Sequence, residues 1–234
     1  MFCYQCQEAA GNKGCTNVGV CGKTAQTSSL MDALVLVSKG IATLAERALA
    51  DGQNIACATK FLPRAMFATI TNVNFDNDRL VALIEEALNI QAELIGQTGF
   101  QVTADTHQAL TWTPGSLSSE MTIPEAAGVL DTENEDIRSL RELLMYGIKG
   151  LCAYGDHAAV LGYEKDELNN FVVKALAASI KDLPVDQLIS LVLECGEKGV
   201  GVMALLDEAN TTSYGNPEIT SVYISVGTRP GILI

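Results

Sequence analysis

The sequence has little positive charge, few aromatic residues and no low-complexity tract. Of its 234 residues only 15 are Lys or Arg, against 28 Asp or Glu, and the formal net charge is −13. No basic cluster is present, which argues against a nucleic-acid surface and against binding to an anionic membrane. Hydrophobic residues make up 48% of the chain and charged residues 18%, so the chain can bury a core and is not a disordered segment.

Long apolar runs are also scarce. Charged residues interrupt the longest stretches before they reach the roughly 20 residues that a bilayer span needs. The N-terminal hexapeptide Met1–Cys6 has neither the basic region nor the apolar region of a secretory signal. We therefore expect a cytoplasmic protein that binds neither nucleic acid nor membranes.

Apolar residues at spacings of three and four predict a mainly α-helical protein. Residues 96–131 lack this spacing and are expected to be a loop with short helical pieces. The local signals for helix ends are an N-cap at Ser29, a stop at Gly52, a helix over 56–71 broken near Pro63, an N-cap at Asp76, a capping box at Thr132 and Glu135, a helix over about 166–181, and a start at Pro184.

Near the C-terminus the spacing of apolar residues changes from the three-and-four pattern of a helix to the every-second-residue pattern of a strand. Residues 219–226 alternate as a strand does, and the chain ends on the apolar residues 232–234. Because no earlier segment reads as a strand, we expect this one to begin a truncated second domain; the alternative is that the segment adds to another chain's sheet or lies flat on the helices. The predicted organisation is a cluster-binding loop (1–27), a helical-bundle domain (28–217) and the start of the truncated domain (218–234).

Four of the seven cysteines lie within the first 21 residues, spaced Cys3-x2-Cys6-x8-Cys15-x5-Cys21. Disulfides are disfavoured in a reducing cytosol. Four thiolates on one glycine-bearing loop can surround a single metal centre. Zinc sites of four cysteines usually have two C-x2-C pairs, whereas this loop has one, so the spacing favours an iron–sulfur cluster and leaves zinc and no metal as alternatives.

Several longer motifs accompany these cysteines and extend over essentially the whole chain. They are 1–8, 14–16, 19–23, 67–72, 132–141, 204–210, 215–220 and 230–234. These motifs resemble the hybrid cluster protein family, also called prismane protein or hydroxylamine reductase.

The resemblance implies a fold, a cofactor and an activity. In the family, cysteines spaced as closely as Cys3, Cys6, Cys15 and Cys21 bind a [4Fe-4S] cluster, and longer spacings bind [2Fe-2S]. The first domain consists of two three-helix bundles. Two α/β domains follow and hold a hybrid iron–sulfur–oxygen cluster, which reduces hydroxylamine to ammonia and nitric oxide to nitrous oxide.

The ligands of that second cluster follow the motif at 230–234 in the family. The resemblance therefore implies that this chain carries the electron-transferring cluster and no catalytic ligand. An electron-donor protein, either ferredoxin-like or a reductase, would be its partner, with hydroxylamine or NO as the substrate of the full-length protein. The alternatives are a stand-alone iron–sulfur electron-transfer or redox-sensing module, and a zinc-stabilised helical interaction module.

The other candidate residues have simpler interpretations. Thr71 and Asn72 follow an apolar stretch and end a helix in one interpretation; in the other they face the cavity of the second cluster. The remaining cysteines are expected to be small buried residues, and neither histidine has a second ligand nearby in sequence. These residues are Cys57, Cys152, Cys195, His107 and His157.

Overall fold

The computed structural model describes residues 1–6, 8–70, 73–219 and 221. Over those residues the chain forms seven α-helices and no β-strand, which confirms the mainly α class. The expected strand and most of the truncated domain that the resemblance implies to be α/β, residues 220 and 222–234, lie outside the described residues. The helices are α1 (Ala25–Ala50), α2 (Ala56–Ala68), α3 (Asn77–Thr98), α4 (Gln108–Thr111), α5 (Glu135–Val160), α6 (Asp166–Ala178) and α7 (Val185–Tyr214).

Side-chain caps place two helix starts away from the predicted positions. Thr24, not Ser29, caps α1, because its hydroxyl accepts a hydrogen bond from the Thr27 amide at 3.1 Å. Asn134, not Thr132, caps α5 by accepting from the amides of Asp136 and Ile137 at 3.0 and 3.1 Å. In both helices the first turn is mostly polar. The regularly spaced apolar residues therefore begin later than the first helical residue and do not mark the helix start.

Two other helix predictions can be compared with the structure. The N-cap at Asp76 is confirmed, since its carboxylate accepts from the amides of Asp78 and Arg79 at 2.9 and 3.2 Å. The predicted break at Pro63 is wrong, because α2 continues through it to Ala68. Proline removes one main-chain hydrogen bond, and the burial of Phe61, Leu62, Ala65 and Met66 on either side holds the helix together.

The six longer helices form two sets, each long, short and long in chain order. In the first set α1 packs along α3, and in the second α5 packs along α7. The short helices pack chiefly across the sets, α2 against α5 and α6 against α1. The two expected three-helix groups therefore share one hydrophobic core, and the predicted domain boundaries stay predictions.

Helix α1 is the most deeply buried element. It is long and apolar enough to cross a membrane by length and composition, so the expectation that no segment reaches that length is wrong for α1. Within its most apolar window 78% of the residues are buried inside the fold. Because α2, α3 and α6 cover it, its apolar content is accounted for by the core of the protein.

Gly40 lets three helices approach one another closely. It lies on the buried face of α1, where a Cβ atom would come within 2.0 Å of the Ala109 carbonyl oxygen and 2.4 Å of Gln91 Nε2. Gln91 on α3 in turn donates a hydrogen bond to that carbonyl at 2.6 Å. A side chain at position 40 would therefore separate α1 from both α3 and α4.

Replacing Gly40 by Ala should destabilise the protein by about 1–3 kcal/mol, because the methyl group meets main-chain atoms that cannot move aside. The matched control is Gly96→Ala in α3, where a Cβ meets nothing within 4 Å. There alanine should stabilise by about 0.5–1 kcal/mol through its higher helix propensity. Urea denaturation measures both changes, and a stabilised Gly40→Ala protein would contradict this account of the helix contact.

Candidate metal centre

The N-terminal loop pairs Cys3 with Cys15 through their main chains. The amide of Cys3 donates to the Cys15 carbonyl, and the amide of Cys15 donates to the Cys3 carbonyl, both at 2.9 Å. Residues directly opposite in such an antiparallel pair project their side chains to the same side. Both cysteines are buried, so two sulfurs face the interior together.

Glycine at position 14 allows this pairing. Gly14 has φ +120°, and a Cβ there would lie 2.5 Å from the Phe2 ring. A larger residue would have to adopt a rare backbone conformation and would also displace the ring. The glycine therefore fixes the turn that brings Cys15 back to Cys3.

The other two predicted ligands, Cys6 and Cys21, are half-buried on the same loop. Cys3, Cys6 and Cys21 all lie close enough to the Lys23 ammonium to favour its charged form, against burial, which lowers the pKa of Lys23. The Lys23 side chain is only 2% exposed and donates to the Ile70 carbonyl at 3.0 Å. Three of the four cysteines thus lie near one buried cation, and the fourth is paired with Cys3.

Helix α5 holds this loop with two side chains one turn apart. The Tyr146 hydroxyl donates to the Tyr4 carbonyl at 3.0 Å, and the two rings stack with centroids 6.1 Å apart. Lys149 Nζ donates to the Gln5 carbonyl at 3.3 Å and also to Gln5 Oε1. Because Gln5 lies between Cys3 and Cys6, α5 fixes the C-x2-C segment directly.

The donor set fits a thiolate-bound iron–sulfur cluster. The seven cysteines are all free of disulfides, and the Ala10 amide donates to the sulfur of Cys15 at 3.4 Å. Amide hydrogen bonds to sulfur and nearby cations stabilise the anionic thiolates of such clusters. Over the part of the chain that the structure describes, no group of three or more His, Cys, Asp or Glu side chains is arranged to hold a single metal ion.

The model of the Prismane/CO dehydrogenase family matches residues 1–234, which is the entire chain. The chain belongs to this family. It is similar to proteins named hydroxylamine reductase from Desulfitobacterium hafniense (52% identical over 238 residues), Desulfosudis oleivorans (48% over 236) and Nitratidesulfovibrio vulgaris (47% over 242). Each alignment covers 100% of this chain but only 43%, 43% and 44% of these relatives.

The remaining candidate residues of this prismane-family chain lie apart from the loop or outside the described residues. Thr71 and Asn72 lie outside the described residues, so their orientation toward a second cluster stays a prediction. Cys152 and Cys195 are buried where α5 meets α7, and burial raises the pKa of both thiols. His107 caps α4 by accepting from the Ala109 amide at 3.0 Å, and His157 lies against the Phe67 ring at 5.1 Å.

Sequence reasoning missed the charged residues around the loop. Lys149 stands in the buried register of α5, between the core residues Ile148 and Leu151, and Asp32 stands within the apolar run of α1. Gln5 Nε2 donates to Asp32 Oδ1, so Asp32, Gln5 and Lys149 form one polar chain. A charged residue at a core position of a helix is the sequence signal that could have found them.

The protonation of Asp32 should make stability depend on pH. Burial raises its pKa to about 7 from its usual value near 4, so the folded chain binds more protons than the unfolded chain between those values. The free energy of unfolding should therefore fall as the pH rises from about 4 to about 7. Asp32→Asn should remove that loss, so its stability relative to the native chain should rise by up to about 4 kcal/mol from pH 4 to above pH 7, since a tenfold change in acid dissociation is about 1.4 kcal/mol.

Denaturation in urea at a series of pH values measures this difference. Asp51→Asn, at the exposed C-terminal end of the same helix, is the control and should follow the native chain at every pH. If the difference in free energy of unfolding between the Asp32→Asn protein and the native chain does not change with pH, the raised pKa assigned to Asp32 is contradicted.

Proposed function

We propose that this chain is the electron-accepting part of a hydroxylamine reductase. In this proposal Cys3, Cys6, Cys15 and Cys21 hold a [4Fe-4S] cluster and receive electrons from a cytoplasmic donor, either ferredoxin-like or a reductase. The electrons continue to a hybrid iron–sulfur–oxygen cluster in the portion of the longer relatives that this chain does not cover. There hydroxylamine is reduced to ammonia, or NO to nitrous oxide. The relatives' names and family membership support this proposal.

One observation supports the role of the loop above all others. Cys3, which pairs with Cys15 through its main chain, lies near the buried lysines Lys23 and Lys149, and Cys6 and Cys21 lie near Lys23. When bound, an iron–sulfur cluster supplies one-electron transfer. The four thiolates ligate it, the Ala10 amide stabilises the Cys15 sulfur, and the two ammonium groups offset the negative charge of the thiolates.

In these roles the residues around the loop bind and stabilise a cluster, and none of them acts as a general acid or base. The rings of Phe2 and Tyr4 within the loop stack in series with the ring of Tyr146, and apolar groups beside a charged site strengthen the effect of a nearby lysine on the thiolates. The chain therefore acts on a bound cluster through charge, burial and hydrogen bonds, which are the properties that set reduction potential.

Serine at any one of Cys3, Cys6, Cys15 or Cys21 should lower iron content and weaken the visible absorption of anaerobically purified protein, because the hydroxyl is a poorer ligand for iron than the thiolate. About four irons per native chain are expected for a cubane cluster. Cys57→Ser, in α2 and outside the loop, is the matched control and should keep its iron.

Metal analysis with electron paramagnetic resonance decides between the possible cofactors. Iron with the spectrum of a reduced [4Fe-4S] centre would support the proposal. Bound zinc in place of iron would overturn it, as would unchanged iron content in all four serine variants.

The isolated chain should have negligible hydroxylamine reductase activity with reduced viologen as electron donor. Besides the four loop cysteines, its sequence offers three separated cysteines and two histidines as soft ligands, which is too few for a second cluster of the family's kind. Activity of the isolated chain close to that of a full-length relative, assayed side by side, would show that the catalytic ligands lie within residues 1–234.

A further inference from the structure

A polar cavity of about 210 Å³ adjoins the cysteine loop on the side of α1 and α5. Gln5 and Tyr4 form its wall toward the loop. Its other lining is unusually rich in ionisable groups for a space between core helices: Asp32 and Lys39 from α1, Arg141 and Glu142 from α5, and His107, Asp131 and Asp182 from the connecting segments. A polar cavity of this size can hold several water molecules.

Asp32 connects this cavity to the loop. Its carboxylate accepts a hydrogen bond from Gln5 Nε2, and Gln5 Oε1 accepts one from Lys149 Nζ. The groups that act on Asp32 are Gln5 from the loop, Lys149 and Glu142 from α5, and Lys39 from its own helix. Among the described residues, Asp32 is therefore the one carboxylate of the cavity that a hydrogen bond joins to the segment between Cys3 and Cys6.

We propose that an ionised Asp32 binds a proton from the cavity when the cofactor of the cysteine loop gains an electron, so that electron uptake by this chain is coupled to proton uptake at and above neutral pH. The electron comes from the donor protein, and the proton comes from bulk solvent by way of water in the cavity, so that no hydroxide is left behind. One O–H bond forms on the Asp32 carboxylate and the net charge of the buried site is unchanged. This inference rests on the proposed function of the loop.

The electrostatic cost of adding an electron to the loop explains why a proton should bind at Asp32. An electron added to a buried site without a compensating positive charge is costly in a medium of low dielectric. Lys149 lies between Asp32 and the loop, because Asp32 and the nearby Cys3 both favour the charged form of its ammonium group. When Asp32 is protonated, Lys149 no longer stabilises that carboxylate, and its positive charge acts on the loop alone.

The ionisation of Asp32 falls in the range that such coupling needs. Burial, together with Glu142, raises the pKa of Asp32 to about 7 against the opposing effects of Gln5, Lys149 and Lys39. Reduction of the proposed substrate also consumes protons with electrons, since hydroxylamine needs two of each to become ammonia and water. Coupled uptake would deliver both in the same ratio.

The test is the midpoint potential of the reconstituted native chain, measured by redox titration at a series of pH values. The potential should fall as the pH rises through neutrality, with a slope approaching about 59 mV per tenfold change in proton activity for a one-electron couple. Asp32→Asn should make the potential independent of pH over that range. Asp51→Asn, which removes an exposed carboxylate from the same helix, should keep the slope of the native chain.

A second variant keeps the test decisive if Asp32→Asn folds poorly. Glu142→Gln removes the negative neighbour of Asp32 and should shift the sloping range to lower pH, because the Asp32 carboxylate is then easier to ionise. The infrared difference spectrum between oxidised and reduced protein should also show a protonated carboxyl band that Asp32→Asn lacks.

The outcomes separate this inference from the proposed function. A bound cluster whose potential is independent of pH in the native chain, or a slope that persists in Asp32→Asn, would overturn the coupling and leave the electron-accepting role intact. An unshifted range in Glu142→Gln would also overturn it. A native chain that binds no iron under reconstitution would overturn both.

Discussion

The cysteine loop depends on buried charge for its attachment to the protein. It contributes few apolar side chains to the main core, so hydrophobic burial cannot hold it, and α5 binds it with the Lys149 ammonium and the Tyr146 hydroxyl. A buried ammonium group is stable only when it is well hydrogen-bonded and paired. Gln5 and Asp32 meet that need, which joins the loop, α1 and α5 in a single arrangement.

The arrangement of the helices places those residues opposite each other. Asp32 belongs to α1 in the first helical set, and Lys149 belongs to α5 in the second. Because α2 packs on α5 and α6 packs on α1, neither long helix can shift along the other without disturbing a short helix from the opposite set. Because each short helix packs on a long helix of the other set, Asp32 and Lys149, which both bind Gln5, are held at fixed positions relative to each other.

The sequence predicts the helices better than it predicts their ends or their charged interior. Apolar residues at spacings of three and four indicate a buried helix face, and this pattern predicted the bodies of α1, α3 and α5. Thr24 and Asn134 cap their helices through one or two local hydrogen bonds, which leave no periodic pattern in the sequence. Cysteine spacing identified the loop because those four residues are close in sequence. Lys149 and Asp32 are distant in sequence from the loop, and their role emerges only when the helices pack.

The contact between α1 and α6 has a consequence for how the chain acquires its structure. α1 ends at Ala50 and α6 begins only at Asp166, so part of the most apolar helix has no covering surface until most of the chain has been synthesised. Contacts this far apart in sequence slow folding and leave apolar surface exposed while it proceeds. A fragment that stops after α3 should therefore aggregate or recruit a chaperone, and the two helical sets should fold as one cooperative unit only after both have been synthesised.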